Sequence, residues 1–368
     1  MVEWLAGNRI RGTSAEKPVG SLQSPSVGGW KELGRTTLNS SATTIDVSSL
    51  ADKRYLMVLL DIDGATTNQA QVRFNGDATG KYAYRLSDDG GADFIAGTQT
   101  TNYWYLETGA VPKFTVAHIA NLAGKEKLTI RDHVTQSTAG SGTSPRRRMG
   151  VEKWVNTIDP IDQITSTSTT ANGYGTGSEM VVLGWDPADT HTTNFWEELA
   201  SAELSSASMR IDSGTFTAKK YLWIQIYNPV KISGGNSYVY FNNVVTGTTH
   251  SGRSNTNGRN PTNQSLQSDY ELTSSNGSII NHDVSASGTA TGMFTNMFVI
   301  NNASNEKLSI IKSVSGWTNA GSGVAPARFD CVGKWANTTD AITSVQCGST
   351  SVSTYMGAGS IIKVWGHD

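Results

Sequence analysis

The sequence contains little cysteine, little charge and no long apolar run. Two of its 368 residues are cysteines, Cys331 and Cys347, which is too few for a secreted scaffold built on disulfides or for a thiolate zinc site. No apolar run approaches the roughly 18 residues that a membrane-spanning helix needs, so we expect no membrane insertion. Charged residues make up 16% of the chain and the net charge is -2, and we therefore expect no nucleic acid as a partner.

The chain also lacks the motifs that mark common catalytic centres. It has neither a Gly-x-Ser-x-Gly elbow nor a Gly-x-x-x-x-Gly-Lys phosphate loop. Its histidines are scattered, without the His-x-x-x-His or Glu-x-x-His spacing of metal ligands. No pair of carboxylates is marked out for acid–base catalysis. We predict a protein that is not an enzyme and that uses no cofactor.

What the chain does contain predicts an all-β fold. Thr, Val, Ile, Tyr and Trp dominate the apolar stretches, and these residues suit a pleated surface. The 38 glycines, together with Asn and Ser, supply turns between short strands. The runs 55–62 and 221–227 predict strands buried on at least one face, whereas 71–75 alternates as a half-exposed strand does. Helical periodicity is scarce, and even 194–202 is better interpreted as extended.

Blocks of sequence recur in the same order, with a spacing that only grows along the chain, which predicts a tandem duplication. The clearest matches pair Trp30–Leu33 with Trp196–Leu199, Glu126–Ile130 with Glu306–Ile310, and Lys153–Thr157 with Lys334–Thr338. We predict an extended N-terminal arm over 1–28, a first copy over 29–187 and a second copy over 188–368. The spacing increases within a polar stretch of the second copy, so we expect a surface-loop insertion near 243–290.

Each copy is long enough for an antiparallel β-sandwich with its own core. A jelly roll is the expected topology, with another Greek-key sandwich as the alternative. The joint between the copies is short and contains Pro187, which is typical of a linker that holds two domains close. The N-terminus has no apolar signal region, so we expect assembly in a cytoplasm rather than export by the secretory route.

The N-terminal arm has no counterpart in the second copy and carries a single apolar anchor, Trp4-Leu5, followed by Arg9 and Arg11. Extended backbone of this kind can add to an exposed sheet edge of a neighbouring subunit. We therefore predict that Trp4, Leu5, Arg9 and Arg11 belong to an assembly arm.

The most distinctive short motif is Arg73-Phe74-Asn75-Gly76-Asp77. Asn-Gly-Asp after a strand is favoured as a structural turn. The weaker interpretation makes Asp77, together with Asp88 and Asp89, oxygen ligands for calcium. The second copy has Asn242-Asn243-Val244 at this turn, so the two copies do not share that charged set.

Features present in only one copy are candidates for specific contacts. The basic run 145–148 is favoured as a solvated loop, with an acidic surface of a partner subunit as the alternative. Tyr103, Trp104, Tyr105 and Trp317 have no mates in the other copy and are possible glycan-contact residues. Cys331 and Cys347 align with Gly150 and Ser166, so both arose in one copy. We expect two buried thiols there, which could face each other across neighbouring strands.

Several of these motifs together resemble a pattern in structural proteins of tailed phages and related marine and environmental viruses. They are Arg73–Asp77, the Tyr82-Ala83 that follows it, the Lys-Trp segments and the terminal Gly-Ser before a hydrophobic strand. The opening Gly7–Ser14 is similar to the start of proteins seen in such sequences. The resemblance implies a virion protein, either a capsid-surface decoration or a tail or fibre appendage. It would be assembled in the host cytoplasm, with itself and other virion proteins as partners. The alternative is a carbohydrate-binding, receptor-binding sandwich that takes a host-surface glycan.

Overall fold

A computed structural model describes residues 29–66, 68–101, 103–187, 189, 194–230, 237–245, 249–256, 270–273, 279–282, 292–315, 326–349 and 352–368. Every regular element of these residues is a β-strand, and every described strand pair is antiparallel. The all-β prediction is confirmed. No helix in these ranges is long and apolar enough to cross a membrane.

The first set of strands runs from residue 31 to residue 185. Its members are β1 Lys31–Thr37, β2 Thr44–Ser48, β3 Tyr55–Ile62, β4 Asn68–Phe74, β5 Tyr82–Asp88, β6 Phe94–Thr101, β7 Trp104–Gly109, β8 Lys113–Ala120, β9 Lys127–Thr135, β10 Arg146–Trp154, β11 Gln163–Ser168 and β12 Glu179–Trp185.

The second set runs from residue 197 to residue 367. Its members are β13 Glu197–Glu203, β14 Arg210–Asp212, β15 Tyr221–Asn228, β16 Ser237–Phe241, β17 His250–Thr256, β18 Tyr270–Thr273, β19 Ile279–His282, β20 Met293–Ile300, β21 Lys307–Ser315, β22 Ala327–Trp335, β23 Val345–Gly348 and β24 Ile361–His367. The extended interpretation of 194–202 is confirmed by β13.

The strand order of the first set is that of a jelly roll. An eight-stranded sheet has the order β1-β12-β3-β8-β9-β10-β5-β6, and a four-stranded sheet has the order β2-β11-β4-β7. Strands β1 to β4 alternate between the two sheets, and β7, β8, β11 and β12 return antiparallel beside them, which produces the double Greek key of a jelly roll. Strands β5, β6, β9 and β10 extend only the larger sheet.

The second set repeats this order strand for strand. Its larger sheet is β13-β24-β15-β20-β21-β22-β17-β18 and its smaller sheet is β14-β23-β16-β19. Each strand therefore occupies the place of the strand twelve positions earlier in the chain. Equal strand order is what a duplication would produce.

Each set of sheets encloses its own apolar core. In the first set, side chains from β3, β8 and β12 meet side chains from β2, β4 and β11 of the smaller sheet. In the second set, β15, β20 and β24 meet β16 and β23. The two long apolar strands β3 and β15 are buried on both faces over most of their length, as their uninterrupted hydrophobic runs predict.

The polar stretch of the second copy contains a strand. Residues 250–256 form β17, which pairs with β18 on one side and β22 on the other. Residues 250–256 are therefore a strand rather than a loop, and most of the remaining predicted insertion near 243–290 lies outside the described residues. Its side chains are polar yet buried, as at His250, Ser251 and Ser254, and hydrophobic periodicity cannot reveal such a strand.

The chain divides into two compact units whose boundaries differ from those of the sequence repeat. The first unit contains the described residues up to 88, 92–135 and 148–197, and the second contains 89–91, 136–147 and 198–368. The connection between β9 and β10 therefore belongs to the second unit. The segment 136–147 is hydrogen-bonded to strands of the second unit.

Candidate functional site

The aromatic residues predicted to contact a glycan do not form a surface platform. Trp104 is only 2% exposed, and its ring packs edge-on against Phe74 at 4.4 Å between centroids. The prediction of Trp104 as a glycan contact is wrong because its ring belongs to the core between the sheets. Tyr103 is half-buried, with the Arg73 guanidinium 5.8 Å from its ring centroid. The side chain of Tyr105 and the whole of Trp317 lie outside the described residues, as do Trp4, Leu5, Arg9 and Arg11 of the arm.

Asp77 is a structural turn residue. Asn75 and Gly76 have positive φ values of 49° and 62°, which Asn and Gly tolerate best. One Asp77 carboxylate oxygen accepts from the Trp154 indole at 2.9 Å, and the other accepts from the Thr79 backbone amide at 2.9 Å. Asp77 thus joins the turn after β4 to the end of β10.

The other two calcium candidates are bound to arginines. Asp88 pairs with Arg148, and Asp89 accepts from the Arg146 guanidinium at 3.1 Å and from the Arg147 amide at 2.8 Å. Within the described ranges, no three His, Cys, Asp or Glu residues converge as metal ligands would. These carboxylates neutralise the basic run 145–148.

The basic run is not a solvated loop, contrary to the favoured interpretation. Its arginines begin β10, and Arg147 and Arg148 are 5% and 3% exposed. Arg147 also donates to the backbone oxygen of Asp330 at 3.4 Å within the second unit. A buried arginine requires paired acceptors, and these strand contacts supply them.

The two cysteines are buried free thiols, as predicted. They do not face each other across neighbouring strands, because Cys331 lies on β22 of the larger sheet and Cys347 on β23 of the smaller one. Burial raises the pKa of Cys331 to about 12. A thiol held in that state is a packing residue rather than a nucleophile.

A buried ion pair distinguishes the first sandwich from the second. Arg131 on β9 donates to Glu152 on β10 at 2.7 Å, and the two side chains are 1% and 0% exposed. Burial raises the pKa of Glu152 against the lowering effect of Arg131. A cavity of about 20 Å³ is lined by Arg131, Trp104, Thr115 and otherwise apolar side chains. That volume holds about one water molecule and no organic ligand.

The opposite face of the same strands carries an exposed patch. Since Arg131 and Glu152 share one face of the sheet, their neighbours Ile130 and Val151 lie on the other. Ile130 is 64% exposed, Leu128 is 56% exposed and Val151 is 50% exposed. Charged groups flank them, namely the Lys153–Glu126 ion pair at 3.2 Å and Arg85, the register partner of Val151. We call this set the first patch: Arg85, Glu126, Leu128, Ile130, Val151 and Lys153.

The second unit carries the same residues on the equivalent strands, and there they are buried. Ile310 and Val332 are register partners, and so are Val332 and Arg253. Leu308, Ile310 and Val332 are 1%, 3% and 2% exposed, and the Lys334 side chain is fully buried. We call this set the second patch: Arg253, Glu306, Leu308, Ile310, Val332 and Lys334. The two patches are identical residue for residue.

Residues 136–145 bind to the second patch within the second unit. Lys334 donates to the backbone oxygens of Gln136 and Thr138 at 3.1 and 2.6 Å. Glu306 accepts from the Gln136 side-chain amide at 2.6 Å and from the Gly140 backbone amide at 2.5 Å. On β17, Arg253 donates to the Pro145 backbone oxygen at 3.2 Å. The charged pair therefore binds a chain segment mainly by its backbone.

Comparison with known proteins shows no family for this chain. No family model and no curated protein matches it. Among solved structures, the LG1-3 region of the laminin alpha2 chain is 7% identical with a TM-score of 0.19, over 89% of this chain and 64% of that one, just under two thirds of its length. Domains LG4-5 of the mouse laminin alpha1 chain are 8% identical with a TM-score of 0.18, over 94% and 93%. Likenesses this weak carry no conclusion about the chain.

Proposed function

We propose that this protein is a non-enzymatic virion structural protein, a capsid-surface decoration or a tail or fibre appendage that assembles with copies of itself. The observation that carries the proposal is the first patch. Three exposed apolar side chains adjoin on one sheet face, which is typical of a surface that another protein covers. The identical second patch is buried, so this face is one that the fold can bury.

The fold is compatible with such a role. Jelly-roll sandwiches build viral capsid domains, although they also serve in lectins and cupins. The sequence resemblance to phage and environmental virus proteins favours the first of these. The arm residues Trp4, Leu5, Arg9 and Arg11 belong to the proposal as a second means of attachment, to copies of the chain or to other virion proteins.

The described residues do not favour the carbohydrate-binding alternative. Trp104 is enclosed in the core, and the Tyr103 ring is partly covered by Arg73. Stacking on a sugar needs an exposed aromatic face, which the buried Trp104 ring does not offer.

The test is to find the protein on a particle. Antibodies raised against the purified chain would be applied to virus particles from infected cells, and gold-labelled secondary antibody would be imaged by electron microscopy. We expect label at regular positions on the head or tail, with pre-immune serum as the control. Particles that contain no peptide of this chain by mass spectrometry, while the chain accumulates in the infected cell, would overturn the proposal.

A further inference from the structure

The second patch shows what this sheet face binds. Its partner is the segment 136–145, whose sequence is QSTAGSGTSP. The segment contributes backbone groups, since its oxygens at 136, 138 and 145 accept and its amide at 140 donates. Small residues at 139–142 allow this backbone to approach the patch closely.

The first patch offers the same chemistry without that occupant. Glu126 and Lys153 pair with each other at 3.2 Å and are 38% and 44% exposed, whereas Glu306 and Lys334 are 5% and 0% exposed beneath the segment. Arg85 is 54% exposed, and Arg253 is 14% exposed. Every group that holds 136–140 in the second unit is thus present and accessible in the first.

A second stretch of the chain resembles this segment in sequence. Residues 317–326 read WTNAGSGVAP, with Ala-Gly-Ser-Gly and the later proline at the same spacing as in 136–145. In the repeat they occupy the place of 136–145, between β21 and β22. Residues 317–325 lie outside the described ranges.

We infer that the first patch is a docking site for a second copy of this chain, which binds it through residues 317–326. The contact is heterologous, because the patch and the segment are different surfaces of the chain. Each molecule can therefore offer its own 317–326 to the next, and the product is a head-to-tail series that closes into a ring or continues as a filament. This inference rests on the proposed assembly function and specifies the contact through which it acts.

Two variants test the two halves of the contact separately. Ile130→Asp places a charge in the centre of the first patch, at a position whose solvent exposure leaves the fold intact. Replacement of 316–326 by a two-residue Asn-Gly turn removes the proposed ligand, because Ser315 and Ala327 are register partners that such a turn can join directly. The matched control is Ile158→Asp, which makes the same change at another exposed isoleucine, 83% exposed and outside the patch. Circular dichroism checks that all three remain folded.

Sedimentation velocity of the full-length proteins over a wide concentration range gives the result. We expect the wild type and Ile158→Asp to form species that grow with concentration, and each of the other variants to associate at least about tenfold more weakly. A mixture of Ile130→Asp and the Asn-Gly variant should form a dimer and nothing larger, because the intact segment of the first can bind only the intact patch of the second.

Three results would overturn the inference: a wild type that stays monomeric throughout, an Ile130→Asp variant that assembles like the wild type, or a mixture that yields no dimer. Assembly that survives Ile130→Asp would assign the contact to another surface and leave the virion proposal standing. Absence of the chain from particles would overturn the virion proposal while leaving a head-to-tail contact measured in solution intact.

Discussion

The buried ion pair of the first unit and the glycine beside it all differ from the residues at the equivalent positions of the second unit. In the first unit these residues are Arg131, Gly150 and Glu152. A Cβ atom on Gly150 would lie 2.8 Å from a Glu152 carboxylate oxygen and 3.0 Å from an Arg131 nitrogen, so a side chain there would displace the ends of both ion-pair side chains. In the second unit, the equivalent positions carry Ile311, Cys331 and Gly333, where Ile311 and Cys331 are register partners. An apolar pair thus takes the space that a salt bridge with its glycine fills in the first unit.

This exchange predicts a non-additive response to mutation. Glu152→Gln leaves the Arg131 cation buried without its counter-charge and should lower the free energy of unfolding by about 3–5 kcal/mol. The triple variant Arg131→Ile, Gly150→Cys, Glu152→Gly should recover most of that loss, because a packed apolar set replaces the pair. Urea unfolding measures both. A triple variant no more stable than Glu152→Gln would show that the exchange in the second unit depends on other substitutions.

At the scale of elements, one asparagine in each unit connects two neighbouring strands of the smaller sheet. It follows the end of one strand and is hydrogen-bonded to the residues where the next strand begins. The Asn75 side-chain oxygen accepts from the backbone amides of Asp162 and Gln163 at 3.0 and 3.2 Å, and its amide donates to the Pro160 oxygen at 2.8 Å. Asn242 makes the same contacts with residues 341–344. Both residues have a positive φ near 50°, which asparagine accepts more readily than other non-glycine residues.

Substitution at these positions should have the same effect in both units. Asn75→Ala and Asn242→Ala lose the hydrogen bonds and the tolerance of positive φ, and we expect each to cost about 2–3 kcal/mol of unfolding free energy. Asn75→Asp and Asn242→Asp keep the accepting oxygen and should cost less. Thermal and urea unfolding give the values. Alanine variants as stable as the wild type would mean that strand pairing alone holds these turns.

At the scale of the whole molecule, identical residues have different surroundings. Lys153 and Lys334 occupy equivalent positions and pair with equivalent glutamates, Glu126 and Glu306, yet the first pair is exposed and the second is covered by 136–140. An exposed pair contributes little because water and salt screen it. A covered pair leaves an uncompensated charge when either partner is removed.

The two lysines should therefore differ sharply in their effect on stability. Lys153→Met should change the free energy of unfolding by less than about 1 kcal/mol at concentrations where the protein is monomeric. Lys334→Met should cost about 3–5 kcal/mol, because Glu306 stays buried and the backbone oxygens of 136 and 138 lose their donor. Hydrogen exchange should show the loss of protection on β21 and β22. Equal costs would contradict the difference in burial.

The sequence alone determined the class of fold and predicted a repeat within it. Hydrophobic runs located β3, β15 and other buried strands, because a strand buried on both faces must be apolar along its length. The turn chemistry of Asn75 and Gly76 was equally readable, since positive φ restricts the residues that fit. The duplication stays a prediction, although the equal strand order is what it would produce.

Only the tertiary structure decided what those elements enclose and expose. The polar sequence of β17 gave no sign of a strand. Trp104 is of a residue type common in binding sites, but it packs in the core. The two identical patches show the reason most plainly. Leu128 and Leu308 follow the same Glu-Lys dipeptide and lie on the equivalent strands β9 and β21, yet one is 56% exposed and the other 1%. Burial depends on what distant parts of the chain place above a residue, and no local pattern records that.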